Sequence, residues 1–267
     1  ALGVEYLSVI ESALQPAATS RSGAAGPWQF MPFTAKLYQL EINSFMDERR
    51  HIEKSTEAAC QYFEQMYRLY GDWLLVMASY NCGPGNVNKA IRRSGGKRDF
   101  WSIYAYLPKE TRTYVPSFIA MAYMMNYYKD YGISPAPPEI RMPDLLEVNC
   151  SGEEKLEAVC QILEIDSEEL MSYNPHLKSE RVPVGMDSYH IKLPHDLALC
   201  YVEKKDDIKT LSDEIKSEIQ EEVYVVKRGD CLPVIARKYG CSVGELKSWN
   251  GLNTHIIHPG QKLKVYL

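Results

Sequence analysis

The sequence lacks several features that define large protein classes. It has no run of about 18 apolar residues, the minimum for a membrane-spanning helix. Its seven cysteines form no C-x-x-C pair, which disfavours zinc and thioredoxin-like chemistry. It has no glycine-rich phosphate-binding loop, and its net charge is −5, so nothing indicates binding of nucleotides or nucleic acid. We therefore expect a globular protein that needs no cofactor and no metal.

No secretory leader precedes the first helical pattern, at residues 1–7. We interpret the chain as a mature or trimmed fragment, so its first residues say nothing about compartment. Its 267 residues, 45% apolar and 24% charged, suffice for one large domain or for two to three small ones.

Charge divides the chain into four segments. Residues 1–141 carry 15 basic and 13 acidic residues, whereas residues 142–202 carry 4 and 12. Residues 203–222 carry 4 and 8, and residues 223–267 carry 7 and 2. Such shifts mark module boundaries, and the prolines of residues 135–138 supply a stiff break after the first segment. The third segment has no Gly or Pro and places apolar residues at helical spacing, which predicts a charged linker helix.

The first segment has helical periodicity and carries four short motifs. They are Glu11-Ser12, Gly26-Pro27-Trp28-Gln29-Phe30-Met31-Pro32, Ala78-Ser79-Tyr80-Asn81-Cys82-Gly83-Pro84-Gly85 and Glu110-Thr111-Arg112-Thr113-Tyr114-Val115-Pro116. Together, in this order, they resemble the family-1 lytic transglycosylases, relatives of goose-type lysozyme that cleave bacterial peptidoglycan. The resemblance implies an all-α, lysozyme-like catalytic domain that acts on peptidoglycan glycan strands.

Glu11 is the only carboxylate near a recognisable cleft motif. Glycoside cleavage usually employs two carboxylates, and Glu5 lies about 240° away around a helix, off the face of Glu11. One acid suffices if the substrate supplies the nucleophile, and the resemblance implies that route. Glu11 would protonate the glycosidic oxygen, the 2-acetamido group would capture C1, and the C6 hydroxyl would close a 1,6-anhydro ring. An acid at neutral pH needs a raised pKa, for which Trp28, Phe30 and Met31 are the predicted apolar walls.

The resemblance also assigns the residues around the acid. It implies that Ser20 hydrogen-bonds the acid or the substrate, that Gly26 lets the backbone approach the sugar, and that Glu110 is buried beneath the cleft in a structural role. The implied substrate contacts are Ser20, Gln29, Met31, Tyr80, Asn81 and Tyr114. The alternative for each polar residue is a helix cap or turn, and for Tyr114 it is core packing.

The C-terminal half contains an internal repeat. Its landmarks recur at identical spacing, first as Leu156, Leu170 and Asn174 and again as Leu232, Leu246 and Asn250. Each unit is predicted to run strand, helix, helix, strand. The predicted fold class is therefore α+β and multidomain, with an all-α domain over residues 1–141 followed by two small βααβ modules, residues 142–202 and 223–267.

The last unit resembles the LysM domain, which binds peptidoglycan. The resemblance rests on the stretches Gly229-Asp230-Cys231-Leu232, Trp249-Asn250-Gly251-Leu252 and Pro259-Gly260-Gln261-Lys262-Leu263. Cys231 departs from the Thr or Ser that is usual there. The implied glycan-binding residues are Gly229, Asp230, Cys231, Leu232, Asn253, Ile256, Ile257 and Pro259. The middle unit lacks this turn motif and is acidic, so we expect a degenerate LysM-like module in which a structural role is favoured over glycan binding.

Other classes of function remain open. One is a non-catalytic protein that binds peptidoglycan or chitin through LysM modules, and another is a lysozyme-type muramidase that uses water. A cysteine peptidase built on Cys82 is disfavoured because no histidine motif accompanies it. The resemblance implies a monomer of the bacterial envelope, periplasmic and associated with the outer membrane. Membrane attachment would come only through an N-terminal lipid anchor outside this chain.

Overall fold

The computed structural model describes residues 3–136, 144–183, 186–218, 221–239, 241 and 243–266. The chain divides into two compact units, one made of residues 1–41 and 48–137 and the other of residues 42–47 and 138–267. The predicted boundary at residue 141 lies outside the described residues. The assignment of residues 42–47 to the second unit is a difference from the sequence prediction, which placed them in the first domain.

The first unit is helical, with isolated bridges in place of strands among its described residues. Its helices are α1 (Tyr6–Ser12), α2 (Pro32–Leu37), α3 (Ile52–Tyr70), α4 (Trp73–Cys82), α5 (Pro84–Arg93), α6 (Phe100–Ile103) and α7 (Lys109–Tyr127), with 3₁₀ turns at Glu48–Arg50, Tyr104–Tyr106 and Tyr128–Tyr131. This arrangement agrees with the predicted all-α, lysozyme-like domain.

Helix α4 is the central helix of this unit. Asp72 caps its first turn, because the carboxylate accepts a hydrogen bond from the Leu75 N–H at 2.9 Å. Residues 75–79 are all buried, so α4 is covered on every side. Helices α3, α5 and α7 pack against it. The surrounding helices therefore fix the position of the last residues of α4.

The second unit contains two βααβ modules, as the repeat predicts. The middle module runs β1 (Leu145–Ser151), α8 (Leu156–Leu163), α9 (Ser167–Tyr173) and β2 (Ser188–Pro194). The last module runs β3 (Glu221–Val225), α12 (Leu232–Lys238), α13 (Val243–Trp249) and β4 (Lys262–Tyr266). Each pair of strands is antiparallel, with Val148 opposite Ile191 in one module and Tyr224 opposite Leu263 in the other.

The two modules are closed by the same asparagine clamp. The Asn174 side-chain nitrogen donates to the carbonyl oxygens of Leu170 and Lys192, both at 2.9 Å, and its oxygen accepts from the Lys192 N–H at 2.6 Å. Asn250 makes the same three bonds to the corresponding atoms of the last module. The clamp joins the second helix of each module to its second strand, which explains why the asparagine keeps its place in both repeats.

The charged segment that follows the middle module is helical, but it is not a free linker. It forms α10 (His195–Glu203) and α11 (Lys205–Glu218). Ile208 is fully buried in the core of the middle module, and the Ser212 hydroxyl accepts from the Lys155 N–H at 2.9 Å. The prediction of a linker over residues 203–222 is therefore wrong for α11, because its apolar side is buried against α8.

All seven cysteines lie within the described residues as free thiols. No described helix combines the length and the apolar character needed to cross a bilayer.

Candidate active site

Helix α1 carries Glu11 in its last turn and is tied to the loop that follows. The Ser12 hydroxyl donates to the carbonyl oxygen of Pro27 at 2.9 Å, across 15 residues of chain. Immediately after the helix, Ala13 (φ 53°) and Leu14 (φ 61°) adopt the left-handed conformation. That conformation costs a non-glycine residue roughly 1–2 kcal/mol. The chain thus turns away sharply just beyond Glu11, and strain of this kind is common beside active sites.

Glu11 receives a hydrogen bond from a buried tyrosine of α7. The Tyr114 hydroxyl lies 2.5 Å from Glu11 Oε1 and donates to it. Burial raises the pKa of Glu11 above its usual value, the Tyr114 bond lowers it in part, and the nearby charge of Glu110 raises it further. The result is a carboxyl group that holds its proton to higher pH than an exposed glutamate. Burial and the Glu11 charge also raise the pKa of Tyr114, so this phenol remains a donor.

Glu110 is exposed, so the prediction of a glutamate buried beneath the cleft is wrong. Helix α7 buries the residues at 111, 114, 115 and 118, the spacing of a single helical face. Glu110 lies in the first turn, off this face. It nevertheless lies close enough to Glu11 for its charge to act on the pKa of that group.

The loop after α1 uses much of its polar chemistry to hold its own shape. Gln29 has φ 49°, and its side-chain nitrogen donates to the carbonyl oxygens of Gly26 at 3.0 Å and Ala18 at 3.3 Å. The Ser20 hydroxyl accepts from the Ala24 N–H at 3.0 Å. Both side chains therefore perform the turn-forming role that the sequence analysis kept as the alternative to substrate binding.

Gly26 is required by the protein's own backbone. Its φ is 86°, and a Cβ there would lie 1.7 Å from the carbonyl oxygen of Arg49. The buried Arg49 guanidinium also donates to the carbonyl oxygens of Gly23 at 2.7 Å and Phe30 at 2.9 Å. Arg49 thus holds the backbone of this loop in place through hydrogen bonds. The sequence analysis missed it because it lies outside the four motifs.

The three predicted apolar walls have different positions. Trp28 and Phe30 are buried, and Trp28 packs edge-on against Phe63. Met31 is 42% exposed at the start of α2. Trp28 and Phe30 are therefore core residues, whereas Met31 is accessible to a ligand.

The end of α4 places Tyr80 and Asn81 in this region. The Tyr80 hydroxyl donates to the carbonyl oxygen of Trp28 at 2.6 Å. Burial raises the pKa of Tyr80 well above its usual value, and the charge of Glu11 adds to the shift. The oxygen of the Asn81 amide accepts from the hydroxyl of Thr111 at 2.7 Å. Thr111 is fully buried, and its bond orients the Asn81 amide with the NH₂ group directed away from the hydroxyl.

Cys82 has a poor environment for a nucleophile. Burial raises the pKa of its thiol, so the thiolate is disfavoured at neutral pH. The histidine of the first unit, His51, caps α3 through the Lys54 N–H and lies 3.3 Å from the Glu53 carboxylate. These positions argue against the cysteine-peptidase alternative.

The first predicted glycan loop of the last module is a tight turn. Gly229 has φ 93°, and the Asp230 carboxylate accepts from the Tyr224 hydroxyl and the Lys227 N–H, both at 2.7 Å. These bonds lower the pKa of Asp230. Cys231 is exposed, and its side chain makes no capping bond to α12.

Leu232 and Ile257 differ from the other predicted glycan contacts. Leu232 is fully buried in the core, so its side chain is not accessible to a glycan and only its backbone belongs to the predicted turn. Ile257 is half-buried against the same core. Asn253, Ile256 and Pro259 are exposed, and Ile256 reaches 67%. The second loop therefore offers accessible apolar surface at Ile256.

Comparison with known families identifies two parts of the chain. Residues 3–102 match the Transglycosylase SLT domain, and residues 224–265 match the LysM domain. In this order, these two parts of the chain are similar to a transglycosylase SLT domain and to a LysM domain. The first three motifs lie within the first match, the fourth begins at Glu110 and lies outside it, and the turn and the loop of the last module lie within the second.

More particularly, the chain is similar to the membrane-bound lytic murein transglycosylase D of Escherichia coli strain K12. The two are 33% identical over 269 residues, which cover 97% of this chain and 58% of the relative. The soluble lytic murein transglycosylase of the same strain is 30% identical over 124 residues, covering 44% of this chain and 19% of the relative. The crystal structure of the 70 kDa soluble lytic transglycosylase SLT70 from Escherichia coli matches with 27% identity and a TM-score of 0.39, covering 46% of this chain and 21% of that one. The chain thus spans less than two thirds of the length of these relatives.

Proposed function

We propose that this protein is a lytic transglycosylase that cleaves the β-1,4 bond between N-acetylmuramic acid and N-acetylglucosamine in peptidoglycan. The observation that carries the proposal is Glu11, a half-buried carboxyl group with a raised pKa that accepts a hydrogen bond from the Tyr114 hydroxyl at 2.5 Å. A raised pKa is what a general acid needs at neutral pH. The match of residues 3–102 to the transglycosylase SLT domain supports the substrate class.

The reaction proceeds in two proton transfers through one carboxyl group. Protonated Glu11 donates its proton to the glycosidic oxygen, and the leaving sugar departs with the bonding electron pair. The acetamido oxygen of the muramoyl residue bonds to C1 and forms a cyclic intermediate. The Glu11 carboxylate then takes the proton of the C6 hydroxyl, whose oxygen attacks C1 and expels the acetamido oxygen. The product carries a 1,6-anhydro ring, and Glu11 is protonated again.

The Tyr114 hydroxyl can donate a hydrogen bond to Glu11 in both protonation states of the carboxyl group. This bond is stronger when the acceptor is ionised. It therefore stabilises the carboxylate that remains after the first proton transfer. The Asn81 amide, oriented by Thr111, offers its NH₂ group to the acetamido carbonyl. Tyr80 and Met31 complete the proposed substrate contacts, while Gln29 and Ser20 hold the shape of the loop beside them.

The exposed face of the last module holds the glycan strand in this proposal. Its match to the LysM domain and the accessible Ile256 support that role. The first relative is named as membrane-bound and as acting on murein. We accordingly place this protein in the bacterial envelope, in the periplasm and at the outer membrane.

Mass spectrometry of the muropeptides released from purified sacculi tests the proposal. We expect 1,6-anhydromuramoyl products from the unaltered protein and none from Glu11→Gln, which keeps the shape of the side chain but cannot donate and retrieve a proton. The control Glu5→Gln removes an exposed carboxylate from the same region and should leave the products unchanged. Reducing ends in place of anhydro ends would establish a muramidase that uses water. Release of no product by the unaltered protein would favour the non-catalytic binding protein.

A further inference from the structure

Residues 42–47 pair with the loop that follows α9 in the middle module. The Lys178 N–H donates to the carbonyl oxygen of Phe45, and the Asp47 N–H donates to that of His176, both at 2.7 Å. The two bonds flank an antiparallel bridge between Met46 and Leu177. An extended peptide that adds to an exposed backbone edge is bound in this way.

The side chains of this segment are part of the module's core. Phe45 is 1% exposed, and its ring meets the Tyr189 ring edge-on with centroids 5.3 Å apart. Met46 is 7% exposed in the same hydrophobic cluster. The ammonium group of Lys178 adds a bond to the carbonyl oxygen of Asn43 at 2.6 Å. The segment is therefore held by backbone pairing, by apolar burial and by a charged donor together.

The repeat shows which face of the module is occupied. Because Leu170 and Asn174 correspond to Leu246 and Asn250, residues 176–178 correspond to residues 252–254. Residues 252–254 begin the loop that we propose receives the glycan in the last module. The bound segment thus lies where a glycan strand would be expected if the middle module acted as the last one does.

The first loop of the middle module is also closed. Glu154 corresponds to Asp230, since its carboxylate accepts from the N–H three residues earlier, in Ser151, and from the hydroxyl of Tyr201 at 2.5 Å. The turn geometry therefore persists with Glu in place of Asp, although the sequence motif is absent from the middle module. Glu154 is 2% exposed, because Tyr201 of α10 covers it.

The two loops of the middle module are bonded to each other. The Gly152 N–H donates to the carbonyl oxygen of Asp187 at 2.9 Å. A Cβ on Gly152 would lie 1.5 Å from the carbonyl oxygen of Met186, so the two backbones are in direct contact. A saccharide ring cannot enter between them.

We infer that the middle module uses the face corresponding to a LysM glycan site to bind residues 42–47 of its own chain, and that it does not bind glycan. The last module is then the glycan-binding module of the described chain. This inference rests on the proposed function of the last module for the identity of the corresponding face. The contacts of the middle module independently support the binding of residues 42–47.

Hydrogen–deuterium exchange on the whole chain tests this inference. The background is Glu11→Gln, and the probe is a soluble tetramer of N-acetylglucosamine. We expect the tetramer to slow exchange at residues 227–232 and 253–259 and to leave residues 151–155 and 175–183 unchanged. Slowed exchange in either of the last two ranges would overturn the inference.

A substitution pair tests occupancy without any ligand. Phe45→Ala should accelerate exchange of the Lys178 and Asp47 amides by about ten-fold or more, since their bonds depend on the packed segment. The matched control Phe33→Ala removes a ring that is 73% exposed and should leave these amides unchanged. Equal exchange of Lys178 in the unaltered chain and in both variants would overturn the inference. If the tetramer protects neither module, the proposed glycan binding of the last module fails, while the result for Phe45→Ala still decides whether the segment occupies the middle module.

Discussion

The surroundings of Glu11 disfavour the charged form of its carboxyl group. Burial raises its pKa, so ionisation costs the folded state more than the unfolded state. A carboxyl group with a raised folded pKa contributes most to stability when it is protonated, and this contribution is lost as pH rises through the folded pKa. The features that make Glu11 an acid therefore reduce the free energy of unfolding at neutral and alkaline pH.

We accordingly expect Glu11→Gln to be more stable than the unaltered protein above neutral pH. The advantage should shrink as pH falls and vanish below the usual pKa of 4.5, where both side chains are neutral. Urea denaturation at a series of pH values measures it. Glu5→Gln, which removes an exposed carboxylate, should not reproduce the trend. An equal difference in stability at every pH would contradict the argument that desolvation opposes the charge of Glu11.

Sequence reasoning located the proposed acid, but it did not predict which contacts its neighbours make. The motifs gave Glu11 and Tyr114, which the structure joins by a hydrogen bond. They could not show that Gln29 bonds its own loop, because a turn and a substrate contact require the same amide. Glu110 was misplaced because the helical face of α7 follows from packing, and a motif does not reveal it.

At the scale of elements, the contact between α4 and α7 orients the Asn81 amide. Thr111 is buried on α7, and its hydroxyl donates to Asn81 at the end of α4. Neither helix alone fixes this amide. We expect Thr111→Val, which keeps the shape and removes the donor, to lower kcat/KM by about ten-fold, the equivalent of a lost hydrogen bond of roughly 1–2 kcal/mol. Turnover of sacculi and thermal melting measure the two effects separately.

Three variants test whether Thr111 positions the Asn81 amide or only fills space between the two helices. Thr111→Ser retains the hydroxyl and should restore most of the activity. Thr113→Val removes an exposed hydroxyl from the same helix and should have no effect. In the Asn81→Ala background, Thr111→Val should cause little further loss, because the two residues act through one bond. Additive losses in the double variant would show that Thr111 acts independently of Asn81.

The elements of the C-terminal half were predictable where the pattern is local. Leucine and asparagine spacing predicted both βααβ modules, and the amide clamp gives the physical reason for that spacing. The packing of Phe45 against Tyr189 joins residues far apart in the sequence and leaves no periodic signal. The burial of α11 was missed for a related reason, since its amphipathic pattern suits a linker and a packed helix equally well.

At the scale of the whole molecule, charge and exposed surface distinguish the two modules. Residues 142–202 carry 4 basic and 12 acidic residues, whereas residues 223–267 carry 7 and 2. A peptidoglycan strand bears carboxylates on its peptides, so the proposed substrate should be attracted to the basic module and repelled by the acidic one. This difference agrees with a glycan-binding role for the last module and a structural role for the middle one.

Sacculus binding by the whole chain should therefore depend on the exposed loop of the last module. In a Glu11→Gln background, which leaves the sacculi intact, we expect Ile256→Asp to weaken retention about ten-fold or more, because it places a charge on an apolar contact and adds repulsion from an anionic wall. Val234→Asp is the matched control: Val234 is 55% exposed on α12, outside both proposed loops, and its substitution adds the same charge to the same module. Co-sedimentation with purified sacculi at several salt concentrations measures the difference. If the two variants lose retention equally, net charge and not the loop governs binding, and the loop from Asn253 to Pro259 is not the glycan contact.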